Sequence, residues 1–331
     1  MKFLKLNFDI RCLIALVLVI SSGNSFAKIR PENPKGRLHT LETDLITQDA
    51  PADTLVPSSE DSSIRWFYSN APQDVRGIAL VIHGLNLRPD KMESIITMLT
   101  DSGIDALNLS LRGHGENYSQ RDGIDTAKAR LESFKKVSYR LWIDEIYKAY
   151  KAAKKRSDHG NVPLFFVGYS LGGLIGLDLF ASRPEIKFDR MVLFAPALKM
   201  HLRNYLLRVL SPFPRLTIPS FTLMSYQSND GTPMAAYNAL FESYKHFHQN
   251  MNLKINVPTV IFIDKKDEIV SFKRLKKMVE KEELDQWRFH LVQKGKTGEP
   301  GRIHHLIIDE LSTGKDVWKK MMDFMIKHLL Q

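Results

Sequence analysis

Residues 163–182 constrain the fold more than any other part of the chain, because they place a buried strand, a sharp turn and a helix in immediate succession. The run PLFFVG at 163–168 is apolar throughout, as is typical of a strand covered on both faces. Gly168 and Gly172 then flank a turn that opens a helical pattern over 171–182. A buried strand that passes directly into a helix indicates a layered α/β fold.

The rest of the chain repeats this alternation of strand and helix. Helical spacing is found at 91–101, 133–156 and about 315–330, and a basic helix is predicted between the last two strands. The strands predicted from apolar runs are 64–69, 77–83, 104–111, 190–196, 258–264 and 287–293. We therefore predict a mostly parallel sheet with helices on both faces, formed by residues 64–331. Residues 198–252 are too long for a simple connection between two strands, which indicates an inserted cap.

The first 27 residues have the pattern of a secretory signal peptide. Lys2 and Lys5 precede the apolar run CLIALVLVI, and Ser25-Phe26-Ala27 is a small-x-small cleavage site. We expect cleavage after Ala27 and a periplasmic or secreted protein, the alternative being an uncleaved anchor. An irregular arm is predicted over 28–63. The chain's one cysteine, Cys12, lies in the signal segment, so the expected mature chain has no thiol chemistry.

The formal net charge of +10 fits nucleic acid, an anionic membrane surface or no specific partner. No nucleic-acid-binding motif is present, so we expect no nucleic-acid partner. The histidines and acids do not form a convincing ligand set, so no metal or other cofactor is expected.

Ser170 is the candidate nucleophile, since Gly168-Tyr169-Ser170-Leu171-Gly172 is a G-x-S-x-G turn between a strand and a helix. Such a serine needs a base, and the base needs an orienting acid, in the chain order Ser, acid, His. Asp267 is favoured as the acid from its place after strand 258–264, and Asp264 and Glu268 remain rivals. His304 and His305 are adjacent and point in different directions, so one of them is expected to be the base.

An oxyanion hole needs two backbone N–H groups. Leu171, directly after the serine, is expected to supply one. The loop His83-Gly84-Leu85-Asn86 is expected to supply the other, with the Leu85 N–H favoured.

Several motifs together resemble the monoacylglycerol lipase and lysophospholipase branch of the α/β hydrolases, over about residues 55–331. They are His83-Gly84, Leu111-Arg112-Gly113-His114-Gly115, the Ser170 motif with Gly173, Asp267 before Glu268-Ile269-Val270, and His305 with Glu310 five residues on. The resemblance implies the α/β-hydrolase fold, and its spacing selects His305 over His304. The chain differs from the family at Ser110, where an acid is common, and at Asp264, where Gly is common. The second difference leaves open which of the three carboxylates is the catalytic acid.

The cap begins with a basic amphipathic pattern. Leu198, Leu202, Leu206 and Val209 share one helical face, among Lys199, Arg203 and Arg208. This face fits either a lipid interface or packing over the core. The resemblance implies that the cap shapes an acyl-chain pocket and that the substrate is a small-molecule acyl ester, such as a lysophospholipid or a monoacylglycerol. A peptidase or amidase on the same scaffold and a non-catalytic binding protein are the alternatives.

Overall fold

A computed structural model describes residues 63–120, 122–220, 222–294 and 299–331. The predicted signal peptide and nearly all of the predicted arm lie outside these residues. No helix in this described part of the chain is long and apolar enough to cross a membrane.

Within the described residues, seven strands form one central sheet. Their order across the sheet is β1 (Ile64–Phe67), β3 (Ile104–Leu109), β2 (Gly77–Ile82), β4 (Leu164–Tyr169), β5 (Arg190–Phe194), β8 (Thr259–Ile263) and β9 (Trp287–Leu291). Only β1 is antiparallel to its neighbour, β3, and the other pairs are parallel. The predicted mostly parallel α/β sheet is therefore confirmed.

Successive side chains of a strand point to opposite sides, so the apolar strands present an apolar surface on each face of the sheet. Helices cover both of these faces. On one face Leu80 and Phe166 join a core with Trp142 and Leu174. On the other face residues such as Val81 join a second core. The helices are α1 (Glu93–Asp101), α2 (Thr126–Phe134), α3 (Tyr139–Gly160), α4 (Leu171–Ser182), α5 (Met234–Asn250), α6 (Phe272–Lys281), α7 (Glu310–Thr313) and α8 (Lys315–Leu330).

The helix predicted over 133–156 corresponds to α3, which begins at Tyr139 and ends at Gly160, and its predicted start is wrong because residues 133 and 134 are the end of α2. Asp125 caps α2 by accepting from the Ala127 and Lys128 N–H groups. Ser138 starts α3 by accepting from the Leu141 N–H. The apolar spacing continues across the break, so periodicity alone did not reveal the new helix start.

The segment between β5 and β8 contains the residues predicted as a cap. It holds the antiparallel ribbon β6 (Thr217–Pro219) and β7 (Gly231–Pro233), followed by α5. Its first part is a 3₁₀ helix, Leu202–Leu210. The helical face predicted from Leu198 onward is therefore wrong at its start, because the helix begins at Leu202. Leu198 lies before this helix and is buried, whereas Leu202, Leu206 and Val209 are 73%, 52% and 60% exposed.

Candidate active site

Ser170 lies at the junction of β4 and α4 in a strained backbone conformation. Its φ is +50° and its ψ is −111°, and such a geometry costs a non-glycine residue on the order of 1–3 kcal/mol. Main-chain bonds hold it there: the Ser170 N–H donates to the Phe194 carbonyl at 2.9 Å, and its own carbonyl accepts from the Ala197 N–H at 3.0 Å. The turn therefore fixes the hydroxyl at the carboxyl edge of the sheet.

Gly172 is required by the close approach of α4 to the end of β2. A Cβ on this residue would lie 2.2 Å from the Ile82 carbonyl oxygen and 2.6 Å from that of His83. Only glycine lets the first turn of α4 pack against the loop after β2.

Ser170, His305 and Asp267 form one hydrogen-bonded chain. The Ser170 Oγ lies 2.8 Å from the His305 Nε2, and the His305 Nδ1 lies 2.8 Å from an oxygen of Asp267. All three side chains are buried. The other Asp267 oxygen accepts from the N–H groups of Ile269 and Val270, at 2.8 and 2.7 Å, which orients the carboxylate. This is the geometry in which a histidine can take a proton from a serine.

The two rival acids have other partners. Asp264 accepts from the His304 Nδ1 at 2.8 Å. Glu268 accepts from the main-chain N–H groups of His304 and His305, each at 2.9 Å. Of the three acids, Asp267 is the one whose carboxylate meets the His305 ring.

The predicted oxyanion donors lie in two different elements: Leu171 is the first residue of α4, and Leu85 lies in the loop after β2. The N–H of Leu171 is in the first turn of α4, where a helix offers no acceptor of its own. In the loop after β2, the N–H groups of Asn86 and Leu87 are already bonded, to the His114 Nε2 at 3.0 Å and the Gly84 carbonyl at 3.2 Å. Among the described residues, no acceptor is found for the Leu85 N–H, which leaves it available to a substrate oxygen.

His83 and His114 join this loop to the turn after β3 as neutral imidazoles. His83 donates from Nδ1 to the Gly84 carbonyl and accepts at Nε2 from the Leu111 N–H. His114 donates from Nδ1 to the Leu111 carbonyl and accepts at Nε2 from the Asn86 N–H. Burial lowers the pKa of His83 to about 4 and that of His114 well below its ordinary value. Both rings therefore hold the loop without carrying charge at neutral pH.

The cap segment is bonded to the same loop. Asn86, whose φ is +52°, donates from its amide to the Asn229 carbonyl at 2.9 Å and accepts from the Asn229 N–H at 3.0 Å. The Tyr226 hydroxyl donates to Asp309, beyond His305, at 2.8 Å. Sequence reasoning missed these contacts, since single polar residues in a cap have no motif.

The other end of the cap is bonded to the loop that carries Asp267. The His201 Nε2 donates to the Asp267 carbonyl at 3.0 Å, and the Arg203 guanidinium donates to the Glu268 carbonyl at 2.9 Å. The exposed leucines of Leu202–Leu210 thus lie on a segment that contacts the candidate acid loop directly.

No group of three or more His, Cys, Asp or Glu side chains that could hold a metal ion is found in the described part of the chain. The arrangement brings together a serine hydroxyl, an imidazole and a carboxylate, which is a set of groups that suits acyl transfer.

Comparison with known proteins agrees with this architecture. Residues 73–246 match the family model described as serine aminopeptidase, S33. No curated protein matches the chain.

Solved structures of lipolytic enzymes have the same fold. A soluble variant of the monoglyceride lipase of Saccharomyces cerevisiae is 15% identical with a TM-score of 0.64, covering 81% of this chain and 92% of its own. A metagenome-derived lipolytic enzyme is 16% identical with a TM-score of 0.60, covering 80% and 98%. The Paleococcus ferrophilus monoacylglycerol lipase is 17% identical with a TM-score of 0.57, covering 80% and 98%. At these identities the likeness shows the fold alone.

Proposed function

The chain belongs to the serine aminopeptidase S33 family of α/β hydrolases, and we propose that it is a serine esterase that cleaves carboxylic esters of acyl chains. Ser170 is its nucleophile, His305 its general base and Asp267 the acid that orients the base. The buried chain of two 2.8 Å contacts from Ser170 through His305 to Asp267 carries the proposal.

The proposed reaction has two halves. The His305 Nε2 takes the hydroxyl proton while the Ser170 Oγ attacks the ester carbonyl, and the N–H groups of Leu85 and Leu171 stabilise the oxyanion. The tetrahedral intermediate collapses as His305 returns the proton to the leaving alcohol, which leaves an acyl group on Ser170. His305 then deprotonates a water molecule, whose oxygen attacks the acyl carbonyl to form a second tetrahedral intermediate. This intermediate collapses as the bond from the acyl carbon to the Ser170 Oγ breaks and the His305 Nε2 returns the proton to that oxygen, which releases the carboxylic acid and restores the serine. Asp267 accepts from Nδ1 throughout, so Nε2 is the nitrogen that exchanges protons.

The acyl-ester preference is supported by the lipolytic enzymes that share the fold and by the apolar side chains that the cap exposes, Leu202, Leu206 and Val209. We infer a lysophospholipid or monoacylglycerol as the natural class of substrate. The test is a panel of nitrophenyl esters of increasing chain length, a monoacylglycerol, a lysophospholipid and aminoacyl nitroanilides. Preferential ester hydrolysis is expected, and a folded protein that hydrolyses none of the esters contradicts the proposal.

Ser170→Ala is expected to lower turnover on the order of a thousandfold or more with no loss of the fold. Ser94→Ala, on an exposed position of α1, is the matched control and should retain full activity. Full activity in Ser170→Ala would refute the assignment of the nucleophile.

A peptidase is the second candidate, because the matching family model is described as an aminopeptidase. Gripping a free amino terminus requires a carboxylate near the site, and the acids of the cap are the exposed Asp230 and Glu242. Faster cleavage of aminoacyl nitroanilides than of esters would favour this candidate.

We further propose that the protein is exported, that its signal peptide is cleaved after Ala27, and that the cap contacts anionic lipid. Support comes from the signal-like pattern of residues 1–27 and from the exposed Leu202, Leu206 and Val209 among arginines. N-terminal sequencing of the exported chain should begin at Lys28, and an unprocessed amino terminus would contradict cleavage.

Sedimentation with anionic phospholipid vesicles tests the lipid contact. Leu206→Glu with Val209→Glu should abolish binding without changing hydrolysis of a short soluble ester. Leu253→Glu is the control, because this leucine is similarly exposed but lies outside the segment Leu202–Leu210. Unchanged vesicle binding by the double variant would contradict a cap contact.

A further inference from the structure

The turn 303–306, which carries His305, has its main chain bonded from several directions. We propose that Glu268 and Lys294 are positioning residues: together they clamp this main chain and so fix where the His305 imidazole lies between Ser170 and Asp267. The inference rests on the proposed function, in which His305 is the base.

Glu268 holds the amino side of the turn with both carboxylate oxygens. One accepts from the His304 N–H and the other from the His305 N–H, each at 2.9 Å. Hydrogen bonds to an ionised acceptor are roughly twice as strong as neutral ones. Because Glu268 directly follows Asp267, one short loop holds both the ring of His305, through Asp267, and its backbone, through Glu268.

Lys294 holds the carbonyl side of the same turn. Its ammonium donates to the Ile303 carbonyl at 2.6 Å and to the Leu306 carbonyl at 2.5 Å. Burial lowers the pKa of Lys294 to about 8, against the opposing effect of Asp264, Glu268 and other acids. The amine thus remains mostly protonated at neutral pH and keeps its two bonds.

Two further contacts complete the arrangement. The Tyr169 hydroxyl donates to the His305 carbonyl at 3.2 Å, and Asp264 holds the His304 ring at 2.8 Å. The N–H and the carbonyl of His305 are thus both bonded, and the neighbouring imidazole is directed to a different acid.

A clamp of this kind matters because proton transfer depends steeply on position. A displacement of about 1 Å can cost on the order of a hundredfold in rate. Removing the bidentate acceptor leaves two N–H groups without their partner, so the turn and the imidazole that it carries lose their fixed position.

The experiment compares Glu268→Ala and Lys294→Ala with wild type on a soluble nitrophenyl ester. We expect kcat to fall about 10- to 100-fold while KM changes less than about threefold, because both side chains bond to the main chain of the turn and act on the position of the base. Lys294→Arg should recover most of the loss, since a guanidinium can also donate to two carbonyls. Glu280→Ala, an exposed acid on α6, is the control and should match wild type.

The decisive comparison is made in a His305→Ala background. If Glu268 acts through His305, Glu268→Ala should lower the residual rate of that background less than about twofold. An equal loss in both backgrounds would show a general structural role and overturn the proposal, as would full activity in folded Glu268→Ala. Should Glu268→Ala fail to fold, Glu268→Gln, which keeps one acceptor oxygen, takes its place with an intermediate loss expected.

Amide hydrogen exchange separates this proposal from the proposed function, because it needs no turnover. Exchange at His304 and His305 should accelerate at least about tenfold in Glu268→Ala. A wild type that hydrolyses no ester would defeat the esterase assignment. Unchanged exchange at both amides would defeat the clamp.

Discussion

Gly172→Ala is the substitution whose effect the structure specifies most closely. The new Cβ would lie 2.2 Å from the Ile82 carbonyl oxygen, whereas real Cβ contacts essentially never fall below 3.0 Å. The neighbouring atoms are backbone at the end of β2, so they cannot rotate away. The first turn of α4 must therefore move by about 0.8 Å or more, and it carries Leu171 and the backbone that fixes Ser170.

Two losses should follow from this displacement. Overpacking of this kind costs about 1–3 kcal/mol in the free energy of unfolding. A shift of about 1 Å at the reacting groups lowers kcat/KM on the order of a hundredfold. Urea denaturation and hydrolysis of a soluble nitrophenyl ester measure the two effects separately.

Gly160→Ala is the matched control, because the same change at the end of α3 meets Val162 at an ordinary 3.4 Å. It should keep wild-type activity and leave stability unchanged or raised by up to about 1 kcal/mol. Wild-type stability and kcat/KM in Gly172→Ala would refute the close-approach argument.

Three further predictions concern the candidate acids, the Asn86 loop and the buried His83. Asp267→Asn should lower kcat about 10³- to 10⁴-fold and Asp264→Asn less than about tenfold, and equal losses in steady-state assays would contradict the choice of Asp267. Asn86→Ala should be less stable to urea than Asn86→Gly by about 1 kcal/mol, since the φ of +52° suits glycine; the reverse order would contradict this. Burial lowers the pKa of His83 from 6.5 to about 4, so protonation favours the unfolded chain, and stability present above pH 6.5 is lost as the pH falls towards 4. His83 alone accounts for up to about 3 kcal/mol of that loss, and a flat urea-unfolding profile between pH 6.5 and 4 would contradict it.

The sheet could be predicted from the sequence because its central strands are buried on both faces. Continuous apolar runs such as 77–83 have no competing interpretation when helical patterns alternate with them. The ends of the helices were harder to predict, because the residue at which a helix begins depends on a capping side chain such as Ser138 and not on apolar spacing.

The candidate site was predictable where a side chain has to follow a particular strand. Ser170 follows β4 and His305 follows the last strand, and the structure brings the two within 2.8 Å. The acid stayed open because three carboxylates share one turn. Asp267 is oriented by the N–H groups of Ile269 and Val270. Residue types do not show where backbone N–H groups point, so the sequence could not single out this acid. Glu268 and Lys294 were missed as positioning residues for the same reason, since both bond to backbone atoms.

The assignment of Ser170 as an activated nucleophile is tested most directly by labelling with a fluorophosphonate, which reacts only with an activated serine, followed by mass mapping of the modified peptide. We expect a single adduct on Ser170 in the wild type and its loss in both Ser170→Ala and His305→Ala. Labelling of another serine, or undiminished labelling in His305→Ala, would contradict it.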